Sequence, residues 1–550
     1  MILFSPVEAA YKQKTTPREK RIATLCGALA VVLVLVLYVL TLAPTVLYYE
    51  RPILLDSTML QTQAAVLGMT GPTGEPTWVM LTHLFTYLPF GDVAYRVNLS
   101  SAVYGAAAVG LVFVAGWLLS RRVAAAFTAA VAFGLGTTFW SQAVIAEIYT
   151  FNAVMIMLPI ISLLVWRERR REPRSDRYLL LTSFLLGFVL TNHLTSGLML
   201  PTAFLFVAAV DWRKFLQWRL VLKGAGLFLL GLTPYLYLPI RGAMDPPMNE
   251  ADPTTMDRFL EFVSGSDLHA VFGQYGPAKL LERLFLYGDY LLANFHWGLV
   301  MVALVGVMVM VVRDRAGAVL IGFPYLGWLF HALEFGIYDT EIYFITTYMM
   351  LTLFLAAGMG SLIRAVEEAV SDLDEMPRLA GLALISGALI LLPLSSLPSV
   401  YARNDMSNDY TGREILTAVK EKAKPNSTVL HHRSNLWYMV LVEKERRDLT
   451  IIDPWFPSWK RDTDIVWPDD INALTTSLRY GTNDYTGVSA AREAAKNGPV
   501  YILDQDSAGA GNFREAGFEI VRVEKGILYE LVPPGEEPYT KDADQIAATS

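Results

Sequence analysis

The chain has 550 residues, of which 53% are hydrophobic and only 18% are charged. A soluble protein carries about 25% charged residues. The deficit is concentrated in apolar runs of about 20 residues, the length that crosses a bilayer core. The composition therefore excludes a single soluble domain and predicts a multi-pass helical membrane protein. The net charge of −7 indicates little, because the two signs are segregated along the chain. One cysteine, Cys26, excludes an internal disulfide framework and a cysteine metal site.

The apolar runs predict about eleven membrane spans. The first run is too long for the apolar core of a signal peptide and has no small-x-small cleavage site, so we interpret it as a retained span. The shortest predicted spans flank the sequence "TNHLTS". The predicted spans are 22–42, 95–119, 123–140, 148–166, 178–192, 196–211, 222–240, 286–312, 317–334, 342–363 and 379–398.

Loops rich in lysine and arginine alternate along the chain with loops that contain neither, and this pattern predicts the orientation of the protein in the membrane. The N-terminal segment and alternate loops are basic, among them "RERRREPRSDR" and "DWRKFLQWRLVLK". The loops between them, "SQAVIAEIYT", "TNHLTS" and "EFGIYDTEIY", contain no Lys or Arg. Because basic loops stay in the cytoplasm, we expect a cytoplasmic N-terminus in the plasma membrane and an external C-terminal region.

This topology divides the chain into three predicted parts. Residues 1–21 form a basic cytoplasmic N-terminus, and 22–399 form a transmembrane domain with outer loops 43–94 and 241–285. Residues 400–550 form an extracytoplasmic domain, where "STVLHH", "DLTIID", "PVYILD" and "FEIVRV" resemble short strands separated by helical stretches. Strand–helix alternation predicts a small α/β domain with a largely parallel sheet. The domain has no glycine-rich nucleotide-binding motif, and we predict no nucleic-acid partner.

Several unusual polar residues fall on the predicted outer side. Ionisable groups at membrane depth are costly and are usually functional or paired. Their convergence from separate loops onto one face predicts a site. The candidates are Asp56, Glu147, His193, Arg241, Asp339 and Glu341.

Each candidate also has a purely structural interpretation. Asp56 would serve as a helix N-cap, and His193 as a hydrogen-bonded histidine between helices. Arg241 would be a snorkelling anchor at a span end. Glu147, Asp339 and Glu341 would be loop acids or caps. The sequence "TGPTGEPT" is primarily a turn and gives its Glu75 little weight, while His83 and His269 have no partner visible in the sequence.

Specific strings resemble the GT-C superfamily of integral-membrane glycosyltransferases. They include "TLAPTVLYYERPILLDSTMLQTQAAVLG", "TGEPTWVMLTHLFTYLPFGDVAYRVNLSSA", "FWSQAVIAEIYTFN", "NHLTS", "YLPIRGAMDPPMN" and "YDTEIYFI". Together they are similar to the family that includes an animal protein O-mannosyltransferase. The likeness covers about residues 40–365, and a weaker one continues through "STVLHHRSNLWYMVLVEKERRDLTIID".

The resemblance implies a glycosyltransferase that takes a sugar, mannose by analogy, from a polyprenyl phosphate. The acceptor would be a hydroxyl of a protein or glycan at the outer face of the bilayer. Asp56 would be the general base of an inverting transfer, and Arg241 with His193 would bind the donor phosphate. Glu147, Asp339 and Glu341 would support these groups or hold a divalent metal, although scattered single carboxylates do not predict a cofactor.

The sequence departs from the family at two places. Many relatives have Asp-x-Gly-Glu where this chain has "DSTM" from Asp56, so the second acid is missing. Many also have a His-Pro-Pro-Gly-like hook where this chain has "GPTG" from Gly71. Two other interpretations therefore stay open: a flippase or transporter for a lipid-linked sugar, and a non-catalytic scaffold with an outer binding domain.

Overall fold

The computed structural model describes residues 16–48, 55–249, 252–266, 272–337, 339–372, 374–431, 433–452, 487–503 and 510–539. The helices from the N-terminus to the second outer loop are α1 Pro17–Leu40, α2 Leu55–Val66, α3 Pro76–His83, α4 Val93–Ser120, α5 Val123–Gly134, α6 Thr137–Ala143, α7 Tyr149–Arg169, α8 Asp176–Leu190, α9 Met199–Asp211, α10 Trp218–Gly231, α11 Tyr237–Gly242 and α12 Met256–Ser264. The later ones are α13 Pro277–Asn294, α14 Trp297–Arg313, α15 Arg315–Glu334, α16 Ile345–Ala369, α17 Glu375–Ser395, α18 Leu397–Asn404, α19 Thr411–Lys422, α20 Val488–Ala495 and α21 Ala510–Glu515.

Most predicted spans correspond to long apolar helices. In the part of the chain that the structure describes, eight helices are long and apolar enough to cross a membrane, or up to ten if each of two bent helix pairs is one span. The remaining predicted span, 178–192, coincides with α8, which has 15 residues and is shorter than the roughly 20 that a bilayer core requires. The chain is thus an integral membrane protein, while the count of eleven stays a prediction.

Two predicted spans are broken rather than continuous. Span 286–312 is wrong as one helix, because α13 and α14 meet at an angle of 112°. Phe295 is extended at the break, and His296 caps α14 by accepting a hydrogen bond from Gly298 N at 3.1 Å. Span 123–140 is likewise bent, by 65° between α5 and α6. The side chain of Asn294, the last residue of α13, accepts a hydrogen bond from Thr138 N in α6 at 2.9 Å. This bond connects the two breaks.

The central helix of the bundle is α16, whose residues from Ile345 to Ser361 are all buried. Its closest neighbour is α14, and the contact depends on two glycines. A Cβ on Gly358 would lie 2.1 Å from the carbonyl oxygen of Val302, and one on Gly306 would lie 1.9 Å from that of Phe354. Small residues at such crossings let helix backbones approach closely, which is the usual basis of packing in membranes.

The basic loops meet at one end of the bundle. Arg121, after α4, pairs with Glu168 in α7 at 2.7 Å. Arg167 donates to both carboxylate oxygens of Asp314, between α14 and α15, at 2.7 and 2.8 Å. The predicted site residues come from loops at the opposite ends of these helices. The basic loops and the predicted site residues are therefore at opposite ends of the bundle, as the sequence predicts. The orientation of the bundle in the membrane stays a prediction.

The C-terminal region contains a five-stranded mixed sheet among its described residues. The strands are β1 Thr428–Leu430, β2 Thr450–Ile452, β3 Val500–Ile502, β4 Glu519–Glu524 and β5 Leu528–Val532, in the order β2-β1-β3-β5-β4. β1 pairs in parallel with β2 and β3, but β5 is antiparallel to both β3 and β4. The prediction of a largely parallel sheet is therefore wrong at one edge. The unpredicted β5 follows β4 through a tight turn at Gly526, which has φ +74°.

The C-terminal region packs directly on the first outer loop. Val46 and Met59 share a buried apolar cluster with Ile415 and Leu416 of α19. At the edge of this cluster, Arg413 pairs with Asp92 at 2.8 Å. The hydroxyl of Tyr438 accepts a hydrogen bond from the backbone N–H of Ala94 at 2.9 Å. These contacts hold the C-terminal region over the end of the bundle where the candidate site lies.

Candidate functional site

A cavity of about 370 Å³ lies where the first outer loop meets the ends of the helices. Three of the sequence candidates line it: Asp56, Glu147 and His193. The turn-rich hook also lines it, through Thr70, Gly71, Pro72, Thr73 and Glu75. The volume is in the range of small-molecule sites in proteins. The structure therefore brings together side chains that the sequence placed in separate loops.

Asp56 lies in the first turn of α2, where the helix dipole favours a negative charge. The helix is anchored to the bundle by Gln61, whose side chain donates to Asn98 Oδ1 of α4 at 2.8 Å and accepts from Leu47 N at 3.0 Å. The carboxylate of Asp56 is about half exposed, and it pairs with the guanidinium of Arg433. Asp56 is thus the acid at the mouth of the cavity.

Glu147 is the acid inside the cavity. Its side chain is buried and accepts a hydrogen bond from Ser57 Oγ at 2.9 Å. Ser101 of α4 fixes its backbone, accepting from Glu147 N at 3.0 Å and donating to its carbonyl at 3.2 Å. Burial, and next the charge of Asp56, raise the pKa of Glu147 well above its usual value. Burial therefore favours the protonated form of Glu147.

His193 is a neutral hydrogen-bonding group in the lining. Its Nδ1 accepts from Thr195 N at 3.3 Å and contacts Thr195 Oγ1 at 2.7 Å. Because Nδ1 accepts, Nε2 carries the proton and is the nitrogen that could donate to a ligand. Burial, with a smaller contribution from His331, lowers the pKa of His193 to about 4.

Aromatic rings form the wall behind His193. The ring of Tyr149 lies 6.0 Å from that of His193 and 5.9 Å from that of Tyr343. Tyr343 in turn lies 4.8 Å from Phe335 and 6.0 Å from His331. All of these rings line the cavity. The cavity thus has an acidic mouth and an aromatic wall.

The hook contributes a second buried acid, Glu75. Its carboxylate accepts from Thr70 Oγ1 and, at 3.5 Å, from Thr73 N. Gly74, with φ +91°, turns the chain against Leu238. Burial is the main cause that raises the pKa of Glu75 to about 7. Sequence analysis placed little weight on Glu75, although a glutamate inside a Gly/Pro turn was a usable signal.

Arg241 does not belong to the residues that line the cavity. Its guanidinium donates to the carbonyl oxygens of Leu67 at 2.8 Å and Val66 at 3.1 Å. These are among the carbonyls left without helical partners at the end of α2. Arg241 therefore closes this helix end, and its predicted contact with a donor phosphate stays a prediction.

Asp339 and Glu341 lie beside the cavity rather than in its lining. Both are half-buried, at the start of the turn Thr340–Phe344. Burial raises the pKa of Asp339 to about 6, with Asp56 raising it further and Arg433 lowering it. In the described part of the chain, no three His, Cys, Asp or Glu side chains are grouped to hold a metal ion.

Of the remaining histidines, His83 has a structural place: its ring contacts the carbonyl of Ala64 at 2.8 Å and the hydroxyl of Tyr87 at 3.1 Å. His269 lies outside the described residues.

Sequence reasoning missed Arg433, which stands 377 positions from Asp56. No local pattern in the sequence indicates a pairing over that separation.

Comparison with known proteins agrees with this architecture. Residues 56–215 match the family model of the protein O-mannosyl-transferase TMEM260 N-terminal domain. Mouse protein O-mannosyl-transferase TMEM260 is 30% identical over 214 residues, which cover 37% of this chain and 30% of the mouse protein. The matched region thus spans about a third of that relative, and it makes the two proteins homologous there.

Solved structures match over nearly the whole chain. The structure of ArnT from Cupriavidus metallidurans bound to undecaprenyl phosphate has a TM-score of 0.53 at 12% identity, covering 92% of this chain and 97% of ArnT. The archaeal oligosaccharyltransferase AglB from Archaeoglobus fulgidus, in complex with an inhibitory peptide and a dolichol-phosphate, has a TM-score of 0.51 at 12% identity, covering 96% and 76%. The fold of this chain is therefore similar to the folds of ArnT and AglB over most of its length.

Proposed function

We propose that the protein is a membrane glycosyltransferase that moves a sugar from a polyprenyl phosphate to an acceptor hydroxyl at the outer face of the membrane. The main support is the cavity that joins Asp56, Glu147 and His193 at the end of the helix bundle. The homology to a protein O-mannosyl-transferase makes mannose the first sugar to test and a protein hydroxyl the first acceptor. The lipid phosphates in the ArnT and AglB structures support the donor class.

The position of the cavity suits an amphipathic donor. A polyprenyl chain must stay in lipid, while its phosphosugar lies at the level of the headgroups. Non-helical backbone near the membrane is tolerated where it lines a cavity, and the hook from Thr70 to Glu75 has this place. With the N-terminus in the cytoplasm, as the basic loops predict, the cavity opens on the outer side.

The transfer that we propose is a single displacement. The acceptor oxygen attacks the anomeric carbon on the side opposite the phosphate. The new C–O bond forms as the bond from carbon to the phosphate oxygen breaks, and the electron pair of that bond leaves with polyprenyl phosphate. Asp56 takes the hydroxyl proton. The anomeric configuration inverts, by the same logic as in inverting glycosidases.

Asp56 suits the role of base better than the other acids of the cavity. A general base must be unprotonated and must reach the acceptor. Burial raises the pKa of Glu147 and favours its protonated form, whereas Asp56 lies half exposed at the mouth, where an acceptor can reach it. Glu147 and the Nε2–H of His193 would instead donate hydrogen bonds to the sugar or to the developing phosphate charge.

The test is a transfer assay with purified protein, a panel of polyprenyl phosphate sugars and mixed acceptors, run with and without a chelator. Asp56→Asn should lower turnover by about 10²–10⁴-fold, the usual contribution of a general base. Glu147→Gln is the matched control: it resembles the protonated acid and should retain most of the activity. Near-normal turnover by Asp56→Asn would exclude Asp56 as the base. A folded wild type that binds donors but transfers none would favour a flippase or scaffold.

A further inference from the structure

Arg433 reaches the mouth of the cavity from the C-terminal region. Its Nη1 contacts the carboxylate of Asp56, and its carbonyl oxygen accepts a hydrogen bond from Thr58 Oγ1 at 2.8 Å. Its backbone is left-handed, with φ +43°, a conformation that costs energy outside glycine. The first turn of α2 therefore contacts both ends of this residue, and the bond to Thr58 keeps its backbone beside the mouth even when the ion pair opens.

The ion pair as it stands is poorly suited to catalysis. The side chain of Asp56 is 53% exposed and that of Arg433 is 30% exposed, and ion pairs exposed to this degree contribute little stability. A carboxylate oxygen engaged by a guanidinium is also a poorer acceptor for the proton of a hydroxyl group. The pair is thus easy to break, and breaking it makes Asp56 available.

A phosphate is the partner that could break it. Guanidinium binds phosphate oxygens through two parallel, charge-assisted hydrogen bonds, and it is the side chain preferred for this purpose. Among the described residues that line the cavity, Arg433 is the one that carries a permanent positive charge. Two acids interact with this guanidinium: Asp56 pairs with it, and Asp339 is close enough for its pKa to be lowered by it.

Building on the proposed function, we infer that Arg433 binds the donor phosphate and exchanges Asp56 for it. Without a donor, the guanidinium of Arg433 is paired with the carboxylate of Asp56. When the donor enters, the guanidinium turns to the phosphate and leaves the carboxylate to the acceptor hydroxyl. The base becomes available only when a phosphate ligand occupies the mouth of the cavity. The C-terminal region is then part of the active site rather than a separate binding domain.

The experiment measures binding of undecaprenyl phosphate to the full chain in lipid nanodiscs. Arg433→Gln should weaken binding about 10- to 100-fold, the effect of losing hydrogen bonds between charged groups. Asp56→Asn should bind as tightly as the wild type or more tightly, because the competing carboxylate is gone. Arg433→Lys should restore part of the affinity. Arg492→Gln, an exposed change in α20, is the matched control and should bind like the wild type.

A merely structural role for Arg433 predicts a different pattern. It would change binding of undecaprenol, which has no phosphate, as much as binding of undecaprenyl phosphate, whereas we expect the loss for the phosphate alone. Equal affinity of Arg433→Gln and wild type for undecaprenyl phosphate would overturn the inference and leave the proposed function standing. A wild type that does not bind undecaprenyl phosphate would overturn both the donor class and the inference.

Discussion

Replacing Glu75 by glutamine should stabilise the protein at pH 8 but not at pH 4. Burial in the hook raises the pKa of this carboxyl group from 4.5 to about 7. A carboxyl group with a raised folded pKa contributes stability that is fully present below the unfolded pKa and is lost as the pH rises through the folded pKa. At 1.36 kcal/mol for each pKa unit, the loss between about pH 4.5 and pH 7 amounts to about 3 kcal/mol.

The assay is thermal unfolding in detergent from pH 4 to pH 8. Glutamine keeps an oxygen that can accept from Thr73 N, and its amide can donate to Thr70 Oγ1, so the two chains should melt alike at pH 4. The wild type should then lose stability with rising pH relative to Glu75→Gln. Glu261→Gln, an exposed change in α12, should follow the wild type. Parallel melting curves for wild type and Glu75→Gln over this range would refute the reasoning.

Two further predictions concern packing and the end of α2. Gly358→Ala should lower the free energy of unfolding by at least about 1–3 kcal/mol, since the added Cβ would press on the carbonyl of Val302. In the control Gly387→Ala the added Cβ meets no atom within 4 Å, and this variant should gain up to about 1 kcal/mol. Equal shifts of the melting temperature in the two variants would contradict the close packing at Gly358. Arg241→Ala should lower stability by about 1–3 kcal/mol, because the carbonyl of Val66 loses the guanidinium donor and that of Leu67 is left with the hydroxyl of Tyr237. Unchanged melting with a raised KM for the donor would instead support the predicted phosphate contact.

The sequence predicted the membrane helices better than their breaks. Helix α4 begins and ends within two residues of the predicted span 95–119, because apolar length alone determines such a span. The break at Phe295 and His296 lies inside an apolar run, so hydropathy passes over it. It depends on Asn294, which caps α6 from a distant part of the chain, and a contact of that kind cannot be read from local sequence.

The same distinction separates the site residues that were predicted from those that were missed. Asp56, Glu147 and His193 were identified because a polar group beside a membrane span stands out against apolar surroundings. Arg433 lies in a polar segment, where one more arginine carries no signal. Its importance arises from the docking of the C-terminal region on the first outer loop, a tertiary contact that joins Val46 and Met59 to α19. The antiparallel β5 was missed although the turn at Gly526 was a local hairpin signal.

The distribution of charge in the cavity favours our assignment of roles. Burial penalises the charged forms of Glu147 and His193, so it raises the pKa of Glu147 and lowers that of His193 to about 4. Asp56 and Arg433, which form an ion pair, lie at the exposed mouth. A polyprenyl phosphate sugar has the same distribution, with one negative charge on the phosphate and a neutral sugar attached to it. A sugar placed among the neutral donors and the aromatic wall leaves the phosphate at the mouth, where its charge stays hydrated and meets the guanidinium. The reverse placement would bury the phosphate beside Glu147 without a cation, which is the costlier arrangement.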